Sequence, residues 1–162
     1  MQFITKTAEE SIDLGIQIGK CLEPGDCVLL FGDLGAGKTT LTLGLSRGLG
    51  LPETEYVRSP TFTLINQYEG RYPIFHLDLY RIESFEELDQ LGLDEVFSDE
   101  GVCIVEWAEK LKPPGDQDNN LLPFGIQSRL EIDIQCMEDE ARKFEITPIN
   151  YQSDTHPIFS LQ

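Results

Sequence analysis

From Val28 to Leu41 the chain reads V-L-L-F-G-D-L-G-A-G-K-T-T-L, and Gly32 to Thr39 satisfies G-x-x-x-x-G-K-[ST] in full. A stretch of this kind has few ways to fold. Glycines let the backbone curl until successive N–H groups point inward at a single anion. Cys27–Phe31 before it is an unbroken apolar run, the pattern of a strand buried on both faces. After it, Lys38–Leu49 carries Leu41, Leu45 and Leu49 on one helical face, with Gly50 as the stop. Strand, loop and helix together aim the positive end of a helix dipole at a chain of phosphates. Within the loop, Asp33, Leu34, Gly35, Ala36, Gly37, Lys38, Thr39 and Thr40 are the candidate cradle residues. The lysine of this pattern reaches the β- and γ-phosphates, and the hydroxyl after it is a ligand for Mg2+. The plainer alternative is a glycine-rich turn with no ligand.

A positive cradle sits oddly in this chain, whose 29 Asp and Glu against 12 Lys and Arg give a formal charge of -17. The local helix dipole and the lysine keep the loop positive despite that excess. The global balance still excludes one class of function. Direct, tight binding of nucleic acid needs clustered cations that release counterions from phosphates, and no basic run exists here. An acidic surface suits a basic protein partner, or simply solubility.

The remainder reads as one α/β domain over residues 1–147, with a loosely ordered tail over 148–162. Thr7-Ala8-Glu9-Glu10 has the form of a capping box ahead of a first helix that runs to about Pro24. Thr61–Tyr68 and Tyr72–Asp78 flank Glu69-Gly70-Arg71 as a predicted hairpin. Ser84 opens a short helical pattern reaching about Phe97, and Val102–Val105 is a second strand of the fully buried type. Pro113–Asn120 reads as a loop. Arg129–Gln135 alternates strictly, and Phe144 and Ile146 alternate again, which predicts a hairpin with one wet face. The fold class expected is therefore a P-loop, three-layer α/β domain with a mostly parallel central sheet and added antiparallel hairpins. Cys21, Cys27, Cys103 and Cys136 show no metal-type spacing, and Cys27 and Cys103 read as small core residues. The segment Met1–Ser11 has neither a basic nor an apolar leader region, and no apolar run approaches a membrane span. The expectation is a reduced, cytoplasmic protein away from membranes.

Phosphoryl chemistry on such a loop also needs an acid behind the magnesium. Glu106 ends the buried run Val102-Cys103-Ile104-Val105 and is the first candidate; its plainer reading is a capping acid before the next turn. Asp78 is the rival, at the end of Ile74-Phe75-His76-Leu77, a strand that alternates more and reads as less buried. No N-K-x-D motif for reading guanine is present, and Asp89-Gln90-Leu91-Gly92 lies inside a helical pattern. The arginines do not cluster as in a kinase lid. Few charges near a γ-phosphate predict a slow hydrolase, because this catalysis is mostly positioning and charge stabilisation.

Four blocks together resemble the bacterial TsaE (YjeE) family: Gly32–Thr40, Ser59-Pro60-Thr61-Phe62-Thr63-Leu64, His76-Leu77-Asp78-Leu79-Tyr80-Arg81, and Glu106-Trp107. The resemblance covers roughly residues 1–147 and implies an ATPase subunit in the formation of threonylcarbamoyladenosine at position 37 of tRNA. It implies that Gly35–Thr40 hold the phosphates of ATP and that Thr39 and Glu106 hold Mg2+. Thr61 would lie in a switch-like segment by the γ-phosphate, with Lys38, Thr61, Asp78 and Glu106 as the catalytic set. Asp78 would stand near the attacking water or behind the metal, and Trp107 would border the nucleotide. Trp107 also reads as a packing residue after a strand, and His76 as a strand residue with no ligand role. Tyr80 and Arg81 either face a partner or, for Arg81, pair with the acids of the following helix. The implied partners are TsaD and TsaB, with tRNA met only indirectly. A metabolite kinase and a nucleotide-gated adaptor are the alternatives that keep the cradle.

Overall fold

The computed structural model describes residues 1–98, 100–112, 122–151 and 155–161. The loop expected over Pro113–Asn120 lies outside them. Thr7 caps the first helix, α1 (Ala8–Cys21), by accepting the Glu10 N–H at 3.1 Å. The Glu10 carboxylate reaches back to the Lys6 N–H at 2.7 Å, so the box closes one residue upstream of its usual place. Ahead of the helix stands β1 (Gln2–Thr5), a strand absent from the sequence reading. Then follow β2 (Cys27–Phe31), α2 (Lys38–Gly48), β3 (Ile65–Glu69), β4 (Pro73–Asp78), α3 (Phe85–Asp89), β5 (Val102–Glu106), β6 (Arg129–Cys136) and β7 (Arg142–Ile149).

Among the described residues seven strands form one sheet, in the order β1-β7-β6-β2-β5-β4-β3. The centre is parallel, with β2 between β6 and β5, and β4 beside β5. The flanking pairs β1–β7, β6–β7 and β3–β4 are antiparallel. Side-chain alternation splits the apolar residues into two cores. Val28, Leu30, Ile104, Leu130 and Ile132 pack against α1 and α2 on one face. Leu29, Leu77, Val105, Leu88 and Leu111 pack on the other, beneath α3 and short 3₁₀ turns. Three layers result, and Cys27 and Cys103 sit buried as adjacent partners in β2 and β5.

The α1–α2 contact has an unusual cause. Gly15 and Gly19 face Gly44 and Gly48, so the two backbones touch; a Cβ built on Gly48 would lie 2.8 Å from the Gly19 Cα. The element that begins at the loop, with Lys38 as its first residue, is thus seated directly on its neighbour.

Four expectations need correction. Thr61–Leu64 is not strand: it turns, with Leu64 at φ 66°, and β3 starts only at Ile65. The helical pattern after Ser84 breaks at Gly92, where φ is 63°, leaving α3 and a separate 3₁₀ turn at Leu93–Glu95. β4 is an interior strand with His76, Leu77 and Asp78 all buried, so its alternation does not mark exposure. The loose tail expected from Pro148 is anchored where it is described. β7 extends to Ile149, and Ile158 is fully buried in the α1–α2 core. His156 bonds Asp26 at 3.1 Å and accepts the Ile158 N–H at 3.2 Å, which seats that turn.

Candidate functional site

At the C-terminal end of β2 the chain leaves the sheet and curls, with Gly32, Gly35 and Gly37 all at positive φ. A Cβ on Gly35 or Gly37 would meet nothing within 4 Å, so open space adjoins the loop at both points. α2 begins at this loop, and the first N–H groups of a helix have no partner within it. Lys38 folds back along the loop and donates to the Gly32 carbonyl at 2.5 Å and the Asp33 carbonyl at 2.9 Å. Its Nζ lies 3.7 Å from the centre of the Trp107 ring. Burial pulls the ammonium below the ordinary lysine range, and the nearby Glu106, Glu109, Asp78 and Asp33 act against that.

Parallel register brings the acids beside it. Asp78 of β4 is the direct partner of Glu106 of β5, and both are 2% exposed. Glu106 accepts from the Thr39 hydroxyl at 3.0 Å through Oε2. Its other oxygen, Oε1, meets His76 Nε2 at 2.8 Å and the Thr42 hydroxyl at 3.3 Å. Asp78 accepts from the Ser59 hydroxyl, from Thr61 at 3.0 Å, and from the Tyr80 N–H at 2.9 Å. Ser59 and Thr61 are themselves 2.7 Å apart. Thus the turn that replaces the predicted strand start is held over the site by the Ser59 and Thr61 side chains, with one backbone bond at its end from the Asp78 N–H to the Leu64 carbonyl at 3.1 Å.

These groups line one cleft of about 440 Å³, walled by the loop, Ser59, Thr61, Asp78, Glu106, Trp107 and Tyr80. Tyr80 packs on Trp107 with ring centres 4.9 Å apart. Lys38, Thr39, Thr40, Gly35, Gly37, Thr61, Asp78, Glu106 and Trp107 of the candidate set all line it, and Leu34 projects at its mouth, 76% exposed. Asp33 and Ala36 do not. Asp33 supplies its backbone carbonyl to Lys38, and Ala36 is buried, its carbonyl accepting from Arg142 Nε at 3.1 Å. Arg142 and Thr42 are neighbours that sequence reasoning missed, and His76, read there as a strand residue with no ligand role, bonds Glu106. His76 and Asp78 are two apart on one strand and so share a face, a signal already legible in the sequence. Arg81 does not pair with the acids of α3 but lies over the Phe62 ring, 4.9 Å from its centre.

The donor set suits a triphosphate with magnesium. A hydroxyl and carboxylates are hard oxygen donors, and Mg2+ is usually held by one or two carboxylates plus substrate phosphates. Among the described residues no cluster of three or more His, Cys, Asp or Glu could cage a metal by itself. A larger cavity, about 980 Å³, opens at the opposite end of the strands beside Asp26, Tyr151 and His156, and holds none of the motif residues. Among the described residues no helix is long and apolar enough to cross a membrane.

The family model described as Threonylcarbamoyl adenosine biosynthesis protein TsaE matches residues 5–144. The chain is 41% identical over 150 residues to the tRNA threonylcarbamoyladenosine biosynthesis protein TsaE of Bacillus subtilis (strain 168), covering 92% of this chain and 86% of that one. It is 42% identical over 147 residues to the protein of that name from Nostoc sp., with 88% and 82% covered. Among solved structures it resembles the crystal structure of Bacillus subtilis YdiB, with a TM-score of 0.71 at 35% identity, over 92% of this chain and 85% of that one.

Proposed function

Since the chain belongs to the TsaE family, we propose that it binds ATP with Mg2+ and hydrolyses it slowly, serving threonylcarbamoyladenosine formation through a TsaB–TsaD complex. One observation carries this reading: a single cleft joins the Lys38 loop, the Thr39–Glu106 bond and the Ser59–Thr61–Asp78 cluster. Magnesium, when bound, neutralises charge developing on the phosphates.

This chain's own residues divide the remaining work. Lys38 exchanges its carbonyl partners for phosphate oxygens, with its charge already partly desolvated. Thr39 and Glu106, already joined by a hydroxyl–carboxylate bond, would hold the metal. Asp78, bonded to Thr61 in the same cleft, orients the attacking water. Trp107 covers the lysine and borders the nucleotide. Thr61, beside the γ-phosphate, orders its turn in the triphosphate state and releases it afterwards. A partner that contacts the ordered turn gains affinity by its preference between the two states and no more. The acidic chain meets protein, and its partners hold the tRNA.

The test is reconstitution of multiple-turnover tRNA modification with purified TsaB and TsaD, with and without this chain. Turnover should require the chain and ATP. The TsaB–TsaD complex should bind the ATP form more tightly than the ADP form, and Thr61→Ala should shrink that difference. The chain alone should leave tRNA unbound at physiological salt. Equal affinity for ATP-bound, ADP-bound and nucleotide-free forms would remove the switch, and unaided phosphate transfer to a metabolite would replace the whole reading with a kinase.

A further inference from the structure

His76 is fully buried in the middle of β4, with the Tyr68 ring stacked 6.4 Å away on one side and the Glu106 carboxylate at 2.8 Å on the other. A packing residue alone would not need a ring nitrogen here. Indeed the second nitrogen, Nδ1, is buried with no hydrogen-bond partner among the described residues, a cost that phenylalanine or leucine would not incur.

The two neutral tautomers are not equivalent in this setting. With the proton on Nδ1, a buried donor is unpaired and the Nε2 lone pair faces a carboxylate oxygen. With the proton on Nε2, the donor bonds to Oε1 and only an acceptor is orphaned. The second arrangement is the favourable one. Thr42 does not duplicate this bond. Its single hydrogen has the Lys38 carbonyl at 3.0 Å against 3.3 Å for Oε1, and goes to the nearer acceptor.

The backbone does not orient the Glu106 carboxylate, because the last torsion of a glutamate is broad and roughly two-fold. We propose that His76 is a positioning residue for Glu106: its Nε2–H pins Oε1 and so keeps Oε2 on the Thr39 side for magnesium. This rests on the ATP–magnesium reading above. His76 touches neither nucleotide nor metal and acts only through Glu106. It sets how much magnesium the site needs, not how well it grips phosphate.

The experiment measures ATP affinity by calorimetry in EDTA and across a Mg2+ series. It compares wild type with His76→Phe, which fills the space without a donor, and His76→Gln, which carries an amide N–H. The Phe variant should need roughly 10- to 100-fold more Mg2+ for the half-maximal gain in affinity, with metal-free ATP affinity kept within about twofold. The Gln variant should recover most of the loss. A purely structural role would move metal-free and magnesium-dependent binding alike, and that result would overturn the proposal.

A wild-type magnesium dependence in His76→Phe overturns it equally. A nitrogen NMR spectrum of the wild-type protein is a second test, one that does not depend on a His76 variant folding. Only two histidines exist, so His156→Asn assigns the signals, and the Nε2–H tautomer must be found at His76. The Nδ1–H form overturns the proposal. If wild-type ATP binding itself ignores Mg2+, the magnesium reading falls and His76 with it. If wild type responds to Mg2+ and His76→Phe responds identically, the role of His76 alone falls.

Discussion

The Lys38 ammonium divides itself between two loop carbonyls and the face of Trp107, and burial depresses its pKa. In the alkaline window below the ordinary lysine value, the unfolded chain then binds more protons than the fold does. Stability therefore rises as pH climbs through that window. Lys38→Met should flatten the rise in denaturant titrations, and should weaken ATP binding roughly 10- to 100-fold, the scale of a lost charge-assisted bond. Near wild-type affinity in this variant would remove the cradle. The two acids separate by a different measurement. Glu106 bonds the hydroxyl of the loop, whereas Asp78 bonds the turn that carries Thr61. Glu106→Gln should abolish magnesium-dependent hydrolysis, and Asp78→Asn should slow turnover about 100-fold while keeping magnesium-dependent ATP binding. Reversed results would exchange their roles. The sequence displayed the loop fully, because its glycines, lysine and hydroxyl are contiguous. It named Glu106 first and Asp78 as the rival from the apparent burial of their strands, but not their meeting, which depends on β4 lying beside β5.

At the level of elements, α1 and α2 achieve their closeness through glycine. Alanine is the better helix former by about 1 kcal/mol, yet a Cβ on Gly19 would collide with the backbone around Leu45 and lie 3.0 Å from the Gly48 Cα. Backbone cannot rotate away as a side chain does. Gly19→Ala should therefore cost about 1–3 kcal/mol net, read as a lowered midpoint in urea. An unchanged midpoint would mean that the helices separate freely. The helices and buried strands were legible from local period, but this contact was not, because a glycine at i and i+4 leaves no apolar signal. β1 was missed for a related reason. Four residues carry too little alternation, and its hydrogen bonds go to β7, far along the chain. Thr61–Leu64 was read as the start of a strand from its composition, and the side chains of Ser59 and Thr61 decided otherwise by bonding Asp78.

For the molecule as a whole, the closing segment matters more than its sequence suggests. Ile158 is fully buried, and Ile158→Ala should cost about 2–5 kcal/mol while leaving ATP affinity unaltered, since it lies away from the cleft. A cost below about 1 kcal/mol would return the tail to the loose state expected of its irregular composition. Strand order was likewise beyond the sequence: nothing local says that β6, late in the chain, enters beside β2. The glycine-lined crossing has a consequence for the whole machine. Lys38 is the first residue of α2, and α2 is seated backbone to backbone on α1 at the glycines, with no compliant side chains there to absorb a shift. In mechanical terms the helix pair is a stator. Under the proposed switch, a stroke driven by nucleotide exchange falls to the pawl opposite, the Ser59–Leu64 turn, which is latched to Asp78 by the Ser59 and Thr61 hydroxyls and tied at its far end by Leu64, whose carbonyl accepts the Asp78 N–H and whose side chain packs on the core.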